Sequence, residues 1–366
     1  MRAIVYSHRD KEGVKEVELN QPQVRPKTNT HVLVKVFYCG VNPVDAKYNV
    51  GDKLPHWLNS LGKLSMDGRG VGYDFSGIIL ETPKNDPNCP FSAGDEIFGT
   101  MPPTIGSFRE FILAPIDQIA LKPKSLELRE AAAIPLSGLT SLQALKYDFN
   151  QKTGNIILII GASGGVGHLS VQVAKKMGLK VVAICSEENK SFVSDLGADE
   201  VIDYKKGNEE ILVKLRESIV LLKNPDELNG KKSLTFHMVF DCVTSLSKED
   251  RAYDYKNLIL KNNLINELSS YVAIGGEFTD WLKAGIKRRM GFNLFKKNQE
   301  LFWVRFPQSA PFLEELKNDF IDCEENLKLR PRIAKELPFS ISGVREAFQL
   351  MNRRRTVGKI VLKVSD

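Results

Sequence analysis

A glycine-rich turn carries the clearest chemical signal in the sequence. It runs from Gly161 to Gly167 and follows an Ile-rich stretch at 155–160. Without side chains, the backbone of such a turn approaches a pyrophosphate closely, and the free N–H groups of the next helix face that anion. The alternative is an ordinary turn between a core strand and a core helix. The residues predicted to bind a dinucleotide are Ser163, Gly164, Gly165, Val166 and Gly167.

The flanking sequence supplies the elements that this turn requires. The apolar run before it predicts a strand buried on both faces, as in a parallel sheet. After it, Val166, Leu169, Val173 and Met177 recur at helical spacing and predict one apolar helix face, which Gly178 ends. Strand, turn and helix together indicate the start of a dinucleotide-binding βαβ unit.

The end of the second strand bears on which dinucleotide is bound. An NAD-binding unit places a carboxylate about 20 residues after the glycines, where it holds the ribose 2′-hydroxyl. Ser186 stands here instead, and Lys190 follows closely. A hydroxyl and a cation suit a 2′-phosphate, which favours NADP(H), although Glu187 and Glu188 leave NAD(H) open.

Composition sets broad limits on the class of protein. The chain has 366 residues, enough for two domains, and its 42% hydrophobic and 26% charged residues are typical of a globular protein. No apolar run reaches the length of a transmembrane helix, and the N-terminus resembles neither a signal nor a transit peptide, which predicts a cytoplasmic protein. The net charge of +6 forms no basic stripe, so we expect no nucleic-acid partner. The five scattered cysteines indicate reduced thiols.

The order of predicted elements indicates a split domain. Short strands separated by Pro, Gly and Asn fill residues 1–122 and predict a small β-barrel-like domain. Strands and helices alternate through 123–329, the pattern of a doubly wound parallel sheet. The tail 330–366 returns to strand, helix, strand, and we predict that it completes the first domain.

Several motifs in a shared order resemble the medium-chain dehydrogenase/reductase superfamily, and within it the zinc-independent quinone oxidoreductase-like branch. The resemblance covers almost the whole chain and implies an α/β fold with a GroES-like β-barrel domain and a Rossmann domain with a parallel sheet. The matching stretches are Gly40–Lys47, Gly72–Gly77, Ala93–Gly99, Gly106–Phe111, Ala131–Thr140, the glycine turn, Leu196–Tyr204 and Val357–Val361.

The same resemblance argues against zinc catalysis. The zinc alcohol dehydrogenases carry a Cys ligand in the stretch matching Gly40–Asn42 and a His ligand in the stretch matching Gly72–Asp74. Here Asn42 and Tyr73 stand in those stretches, and neither is a tight Zn²⁺ ligand. The chain also lacks the four-cysteine loop of those enzymes, so we expect no metal.

Most of the remaining site residues follow from the resemblance, whereas Ser186 and Lys190 follow from the strand end described above. Asn42, Lys47 and Tyr73 are the expected catalytic residues, although Asn42 is equally a turn amide, Lys47 a solvated lysine and Tyr73 a pocket wall. The expected cofactor-binding residues outside the glycine turn are Thr140, Ser186, Lys190, Tyr204, Ile274, Gly275 and Arg355. Thr140 and Tyr204 are equally structural residues, and Arg355 belongs to an Arg run that is more often a solvated face.

Two hypotheses for function remain open at this stage. The first is an NADPH-dependent reductase of quinones or of the C=C bond of α,β-unsaturated carbonyls, acting on a small hydrophobic substrate as a monomer or homodimer. The second is a weakly active or inactive relative that binds NADPH and serves as a peripheral membrane or scaffold protein. The second rests on 278–306, where seven cations are mixed with Trp and Phe against two acids, as on a membrane or lipid-droplet surface. The other interpretation of this segment is a substrate wall or subunit contact.

Overall fold

The structure is a computed structural model of the full chain. It describes residues 1–10, 13–24, 30–47, 66–83, 89–102, 105–223, 234–243, 252–276, 278–292, 294–295, 299–302, 304, 308–324 and 328–366. The elements below are numbered over these residues.

The strands are short, as the punctuation by Pro, Gly and Asn predicts. In chain order they are β1 Arg2–Tyr6, β2 Val14–Glu18, β3 His31–Val41, β4 Asp74–Glu81, β5 Glu96–Thr100, β6 Phe111–Pro115, β7 Ile119–Leu121, β8 Ile156–Ile160, β9 Lys180–Cys185, β10 Glu200–Asp203, β11 Phe236–Asp241, β12 Ile265–Ala273, β13 Gln299–Leu301, β14 Ile333–Pro338 and β15 Lys359–Lys363.

Most of the helices follow the first seven strands in the chain. They are α1 Pro43–Lys47, α2 Leu128–Ala131, α3 Pro135–Leu142, α4 Gly167–Lys176, α5 Lys190–Asp195, α6 Asn208–Leu222, α7 Ala252–Lys261, α8 Phe278–Met290, α9 Ala310–Glu315 and α10 Ile341–Asn352. Among the described residues, none of these helices combines the length and apolar character that crossing a membrane requires.

The chain divides into two compact units. Unit 1 comprises Met1–Leu139 and Arg305–Asp366, and unit 2 comprises Thr140–Val304. The domain boundaries predicted from the sequence lie at 122/123 and 329/330. Residues 123–139 therefore belong to unit 1 in the structure. They are bonded to it, because the Ser76 hydroxyl donates to the Leu128 carbonyl (2.6 Å) and the Leu136 N–H donates to Asp74 (2.9 Å).

Unit 2 is built on a six-stranded parallel sheet. Its strand order is β10-β9-β8-β11-β12-β13. The central strand β8 is buried along its whole length, because it pairs with β9 on one side and β11 on the other. The order reverses beside β8, which places a topological switch point at its carboxyl end, where such sheets bind ligands. The predicted Rossmann-type parallel sheet is confirmed.

Unit 1 is mainly antiparallel. Its large sheet has the order β14-β15-β3-β4-β5-β7, with β6 also paired to β3, and β1 pairs with β2 in a separate ribbon. The tail joins this sheet through β15, whose Ile360 and Leu362 lie opposite Val41 and Cys39 of β3. Together with the parallel sheet of unit 2, this confirms the predicted α/β class with a GroES-like β domain.

Candidate functional site

The glycine turn of unit 2 permits a backbone approach that any side chain would block. It leaves β8 at Gly161, which has a positive φ of 77°. Helix α4 then starts so close to the turn that a Cβ on Gly167 would lie 2.1 Å from the Gly161 carbonyl oxygen. The residue at 167 must therefore be glycine if α4 is to begin at the end of β8.

The turn also presents unused donors. Gly164 N–H bonds to the Gly161 carbonyl oxygen at 3.0 Å, and His168 N–H bonds to the Gly164 carbonyl oxygen at 3.1 Å. Between them, the N–H groups of Gly165, Val166 and Gly167 donate to no other described residue. Free N–H groups at a helix start form an anion site, so these residues fit the pyrophosphate of a dinucleotide.

The end of β9 lies beside the turn. Ser186 follows this strand and is buried, and Asn189 lies in the short helical turn after it. The Asn189 amide Nδ2 donates to the Ser186 hydroxyl oxygen at 3.0 Å and lies 3.4 Å from the Ser163 hydroxyl oxygen. Asn189 therefore joins two predicted cofactor residues, and sequence reasoning missed it although it is only three residues from Ser186.

Charged groups line the same end of β9. The Lys205 ammonium group and the Glu188 carboxylate are 2.5 Å apart, and this bond, together with the Ser186 hydroxyl, lowers the pKa of Glu188 to about 2. Lys190 is exposed at the start of α5, and Tyr204 is half-buried directly before Lys205. The structure thus groups Ser163, Ser186, Lys190 and Tyr204 in one part of unit 2, and adds Lys205.

The next strand ends are held by a buried acid. The Asp241 carboxylate accepts from the Tyr271 hydroxyl at 2.7 Å and from the Val243 N–H at 3.0 Å. Its carbonyl oxygen accepts from the Ile274 N–H at 3.2 Å, which places Ile274, and with it Gly275, beside the end of β11. Sequence analysis missed Asp241, since nothing local shows that its partner is Tyr271, thirty residues later.

In unit 1, Asn42 belongs to a buried polar cluster. Its Nδ2 donates to Asp74 at 2.9 Å, and its Oδ1 accepts from the Lys359 ammonium group at 2.5 Å. Lys359 also lies 3.5 Å from Asp74. Burial lowers the pKa of Lys359 and raises that of Asp74, while their mutual attraction acts in the opposite direction for each. Lys359 comes from β15, so this partner is not visible from the sequence around Asn42.

Asp45, in α1, is the second acid of this cluster. Its Oδ2 accepts from the Asn42 N–H at 2.7 Å, whereas its Oδ1 is buried without a hydrogen-bond partner. Burial, opposed by the Asn42 bond and assisted by nearby Asp74, raises the pKa of Asp45 well above its ordinary value. A proton on Oδ1 therefore suits this position better than a charge.

The remaining predicted site residues are placed as follows. Tyr73 is buried in unit 1, directly before Asp74, and Thr140 is buried in α3 at the start of unit 2. Lys47 ends α1, and its side chain lies outside the described part of the structure. Arg355 is exposed in unit 1 between α10 and β15. Their roles stay predictions.

Comparisons with known proteins place this geometry in a family. The model of the zinc-binding dehydrogenase family matches residues 165–255, which lie in unit 2. The mouse protein named NAD(P)H oxidoreductase RTN4IP1, mitochondrial, is 31% identical over 372 residues, covering 97% of this chain and 88% of its own. The chain belongs to the medium-chain dehydrogenase/reductase superfamily, in its quinone oxidoreductase-like part.

Two further relatives of this superfamily extend the likeness over the whole chain. The NADPH-dependent alkenal/one oxidoreductase of Arabidopsis thaliana is 28% identical over 373 residues, covering 99% of this chain and 79% of its own. The quinone oxidoreductase structure from Coxiella burnetii superposes with a TM-score of 0.72 at 24% identity, covering 100% of this chain and 99% of that one. The superfamily resemblance is therefore confirmed, and the protein is an oxidoreductase-family member with a nicotinamide cofactor site.

Two expectations stay predictions: the cytoplasmic location and the absence of a metal. The mouse relative is named as mitochondrial, so the cytoplasmic location stays a prediction. Within the residues that the structure describes, no group of three or more His, Cys, Asp or Glu side chains is arranged to hold a metal ion.

The close approach at Gly167 predicts a cofactor-binding defect. Gly167→Ala introduces a Cβ at 2.1 Å from a backbone oxygen, so the turn must shift and its N–H groups lose their alignment. We expect the dissociation constant for NADPH, measured by calorimetric titration, to rise at least tenfold. This corresponds to a loss of about 1.4 kcal/mol of binding free energy. Gly207→Ala is the matched control, since a Cβ there meets nothing within 4 Å, and equal binding by both variants would contradict the assignment.

The buried Asp45 predicts a pH-dependent gain in stability. The pKa of Asp45 is raised in the folded state, so its carboxyl group loses a proton more easily in the unfolded chain. The free energy of unfolding of wild type therefore falls as pH rises above the ordinary pKa of 3.8. Asp45→Asn keeps an acceptor for the Asn42 N–H and removes this loss, so its free energy of unfolding should rise relative to wild type between pH 4.5 and 8, measured by denaturant titration.

Asp67 provides a control of opposite sign. Bonds from His8 lower the pKa of its carboxylate, so its contribution is present at high pH and is lost as pH falls. Asp67→Asn should therefore be less stable than wild type by a constant amount between pH 4.5 and 8, and this deficit should disappear as pH falls below the ordinary value of 3.8. The same constant deficit in Asp45→Asn would show that Asp45 is charged in the folded protein.

Proposed function

We propose that the protein is a zinc-independent, NADPH-dependent reductase of quinones or of the C=C bond of α,β-unsaturated carbonyls. The observation that carries the choice of NADPH is the buried Ser186 hydroxyl at the end of β9, held by Asn189 at 3.0 Å. A carboxylate at this position would repel a 2′-phosphate, whereas the hydroxyl and the nearby Lys190 favour it. The name of the Arabidopsis relative supports both the cofactor and the substrate class.

Asn42 and Tyr73 support the zinc-independent mechanism. They occupy the stretches in which the zinc alcohol dehydrogenases carry Cys and His ligands, and an amide and a phenol do not replace these as tight ligands of Zn²⁺. The match to the zinc-binding dehydrogenase model covers only 165–255, which includes neither residue. Without a Lewis acid, the reaction depends on positioning and on hydrogen bonds to developing charge, which suits acceptors whose anionic products are delocalised.

The chain supplies binding and orientation. NADPH, when bound, provides the hydride; the N–H groups of Gly165, Val166 and Gly167 hold its pyrophosphate. Ser186 and Lys190 select its 2′-phosphate. In unit 1, Asp74 and Lys359 fix the Asn42 amide, which has a second N–H besides the one donated to Asp74. We assign this N–H to the developing oxyanion of the substrate, with Lys47 as a second donor.

Turnover with two cofactors tests this proposal. Wild type should oxidise NADPH with a panel of enals, enones and quinones. Lys190→Glu should raise KM for NADPH at least tenfold and change KM for NADH little, because only NADPH carries the 2′-phosphate. Lys214→Glu makes the same charge change on an exposed side chain of α6 and should leave both unchanged. Tight NADPH binding without turnover on any acceptor would refute the reductase activity.

A second candidate function is binding to an anionic lipid surface, and the exposed apolar side chains around α8 favour it. Leu282, Met290, Phe292 and Leu294 are each more than half exposed. Exposed Arg289 and half-buried Lys283 lie in the same stretch. Apolar residues beside cations are the composition of helices that lie on anionic membranes.

Liposome flotation distinguishes this candidate. If it is correct, wild type should float with phosphatidylserine vesicles and less with phosphatidylcholine vesicles, and Phe292→Ser with Leu294→Ser should abolish flotation. Leu268→Ser is the matched control, because Leu268 is 95% exposed elsewhere in unit 2, on β12. If wild type stays in the unbound fraction with both vesicles, this second function is refuted and the reductase proposal is unaffected.

A further inference from the structure

Unit 1 contains a cleft that the proposed function does not use. Its volume is about 310 Å³, at the low end of the range for small-molecule pockets. Phe111 and Leu113 of β6 line it, together with Val24 and Ile105 from the loops before β3 and after β5. Phe111 and Leu113 lie on the same face of β6 and are half-buried, whereas Ile112 on the opposite face is buried in the core. The cleft is therefore mainly apolar, and its lining also includes the buried core residues Met101 and Ile112 and the polar side chain of His31.

Arg109 brings a positive charge to this apolar cleft. The residue is only partly exposed, and its Nε atom is buried without a hydrogen-bond partner. Burial lowers the pKa of its guanidinium group from the ordinary value. Among the described residues, no carboxylate forms an ion pair with it and no side chain or carbonyl accepts a hydrogen bond from its guanidinium group.

Arg345 and Arg129, two other partly buried arginines of unit 1, also have an Nε atom buried without a hydrogen-bond partner, but each has a carboxylate beside it. Arg345 pairs with Asp10 at 2.6 Å, and Arg129 lies 3.4 Å from Glu127. The carboxylate next to Arg109 in sequence is also engaged, because Glu110 accepts from the backbone N–H and the side chain of Arg2 at 2.7 and 2.8 Å. Of these three arginines, Arg109 is thus the one without a counter-charge among the described residues.

The guanidinium group is held in place by the backbone beneath it. A Cβ added to Gly70 would lie 2.6 Å from Nη2 of Arg109 and 1.8 Å from the Ile105 carbonyl oxygen. The Arg109 side chain and the Ile105 loop therefore pack over a glycine that leaves them room. Arg109 itself bridges to Ala3 of β1 through its backbone, which fixes the base of the side chain.

We propose that this cleft binds a small amphipathic carboxylate, with its carboxylate on Arg109 and its apolar body on Ile105, Phe111 and Leu113. A charge that is partly withdrawn from water without a counter-charge is unfavourable, and a ligand carboxylate would supply that counter-charge. The planar guanidinium group forms paired hydrogen bonds with a carboxylate, and Arg109 is the only Lys or Arg in the lining, which suits a monoanion better than a phosphate dianion. The occupant is thus complementary to the cleft in charge, size and polarity.

Octanoate is a suitable probe, with octanol and octylammonium as neutral and cationic analogues of equal chain length. Titration calorimetry of the full-length protein should show saturable binding of octanoate, at least tenfold weaker binding of octanol and no binding of octylammonium. Comparable affinity for octanol and octanoate would overturn the proposal, as would the absence of saturable octanoate binding.

Variants at position 109 locate the binding. Arg109→Met should weaken the binding of octanoate at least tenfold, and Arg109→Lys should retain part of the affinity. Arg9→Met removes an exposed charge from the same unit and should retain the full affinity for octanoate. Arg109→Met should also leave the melting temperature unchanged or raised, because an unpaired charge is replaced by an apolar chain. Unaltered octanoate binding by Arg109→Met would place the site elsewhere. These readouts involve no turnover, so they are independent of the reductase activity.

Discussion

The approach of Gly167 to the Gly161 carbonyl oxygen is the contact on which unit 2 depends. A Cβ at 2.1 Å from that oxygen is impossible without movement, so the absence of a side chain lets α4 start directly at the end of β8. At this start the N–H groups of Gly165, Val166 and Gly167 donate to no other described residue and stay available to an anion. The turn follows directly from the buried strand β8, which pairs with a parallel strand on each side. Anion binding here is therefore a consequence of backbone packing, and side chains refine it.

Unit 1 depends instead on buried charge. Asn42, Asp74 and Lys359 come from the end of β3, from β4 and from β15, and they meet where water has almost no access. Burying such groups is costly, but separating them would leave a charge without a partner, so the cluster ties the C-terminal tail to the N-terminal strands. Arg109 is the contrasting case, since it is partly buried with no partner among the described residues. In the first case the fold satisfies the charge, and in the second we assign that role to a ligand.

Much of the cofactor site follows from local sequence. The run of Ile residues, the glycines and the helical spacing after them are contiguous, so they predict strand, turn and helix without knowledge of the rest of the chain. Ser186 is predicted in the same way, by its distance along the chain from the turn. Asn189 was missed because its role depends on a side chain orientation toward Ser186 and Ser163, and such short polar residues are common in any helical turn. Lys205 was missed because its contact with Glu188 joins two separate strand ends.

Hydrophobic period and glycine position are local properties of a chain, and they were enough to predict the α/β class, the parallel sheet and the glycine turn. The motifs in their shared order also identified the superfamily. Three features emerge only when the chain is folded: the partners around Asn42, the bond by which Tyr271 joins Asp241 to the next strand, and the place of Arg109 at a mainly apolar cleft without a counter-charge among the described residues. These features join residues far apart in the chain, and burial, which sets their charge states, exists only once the chain has folded.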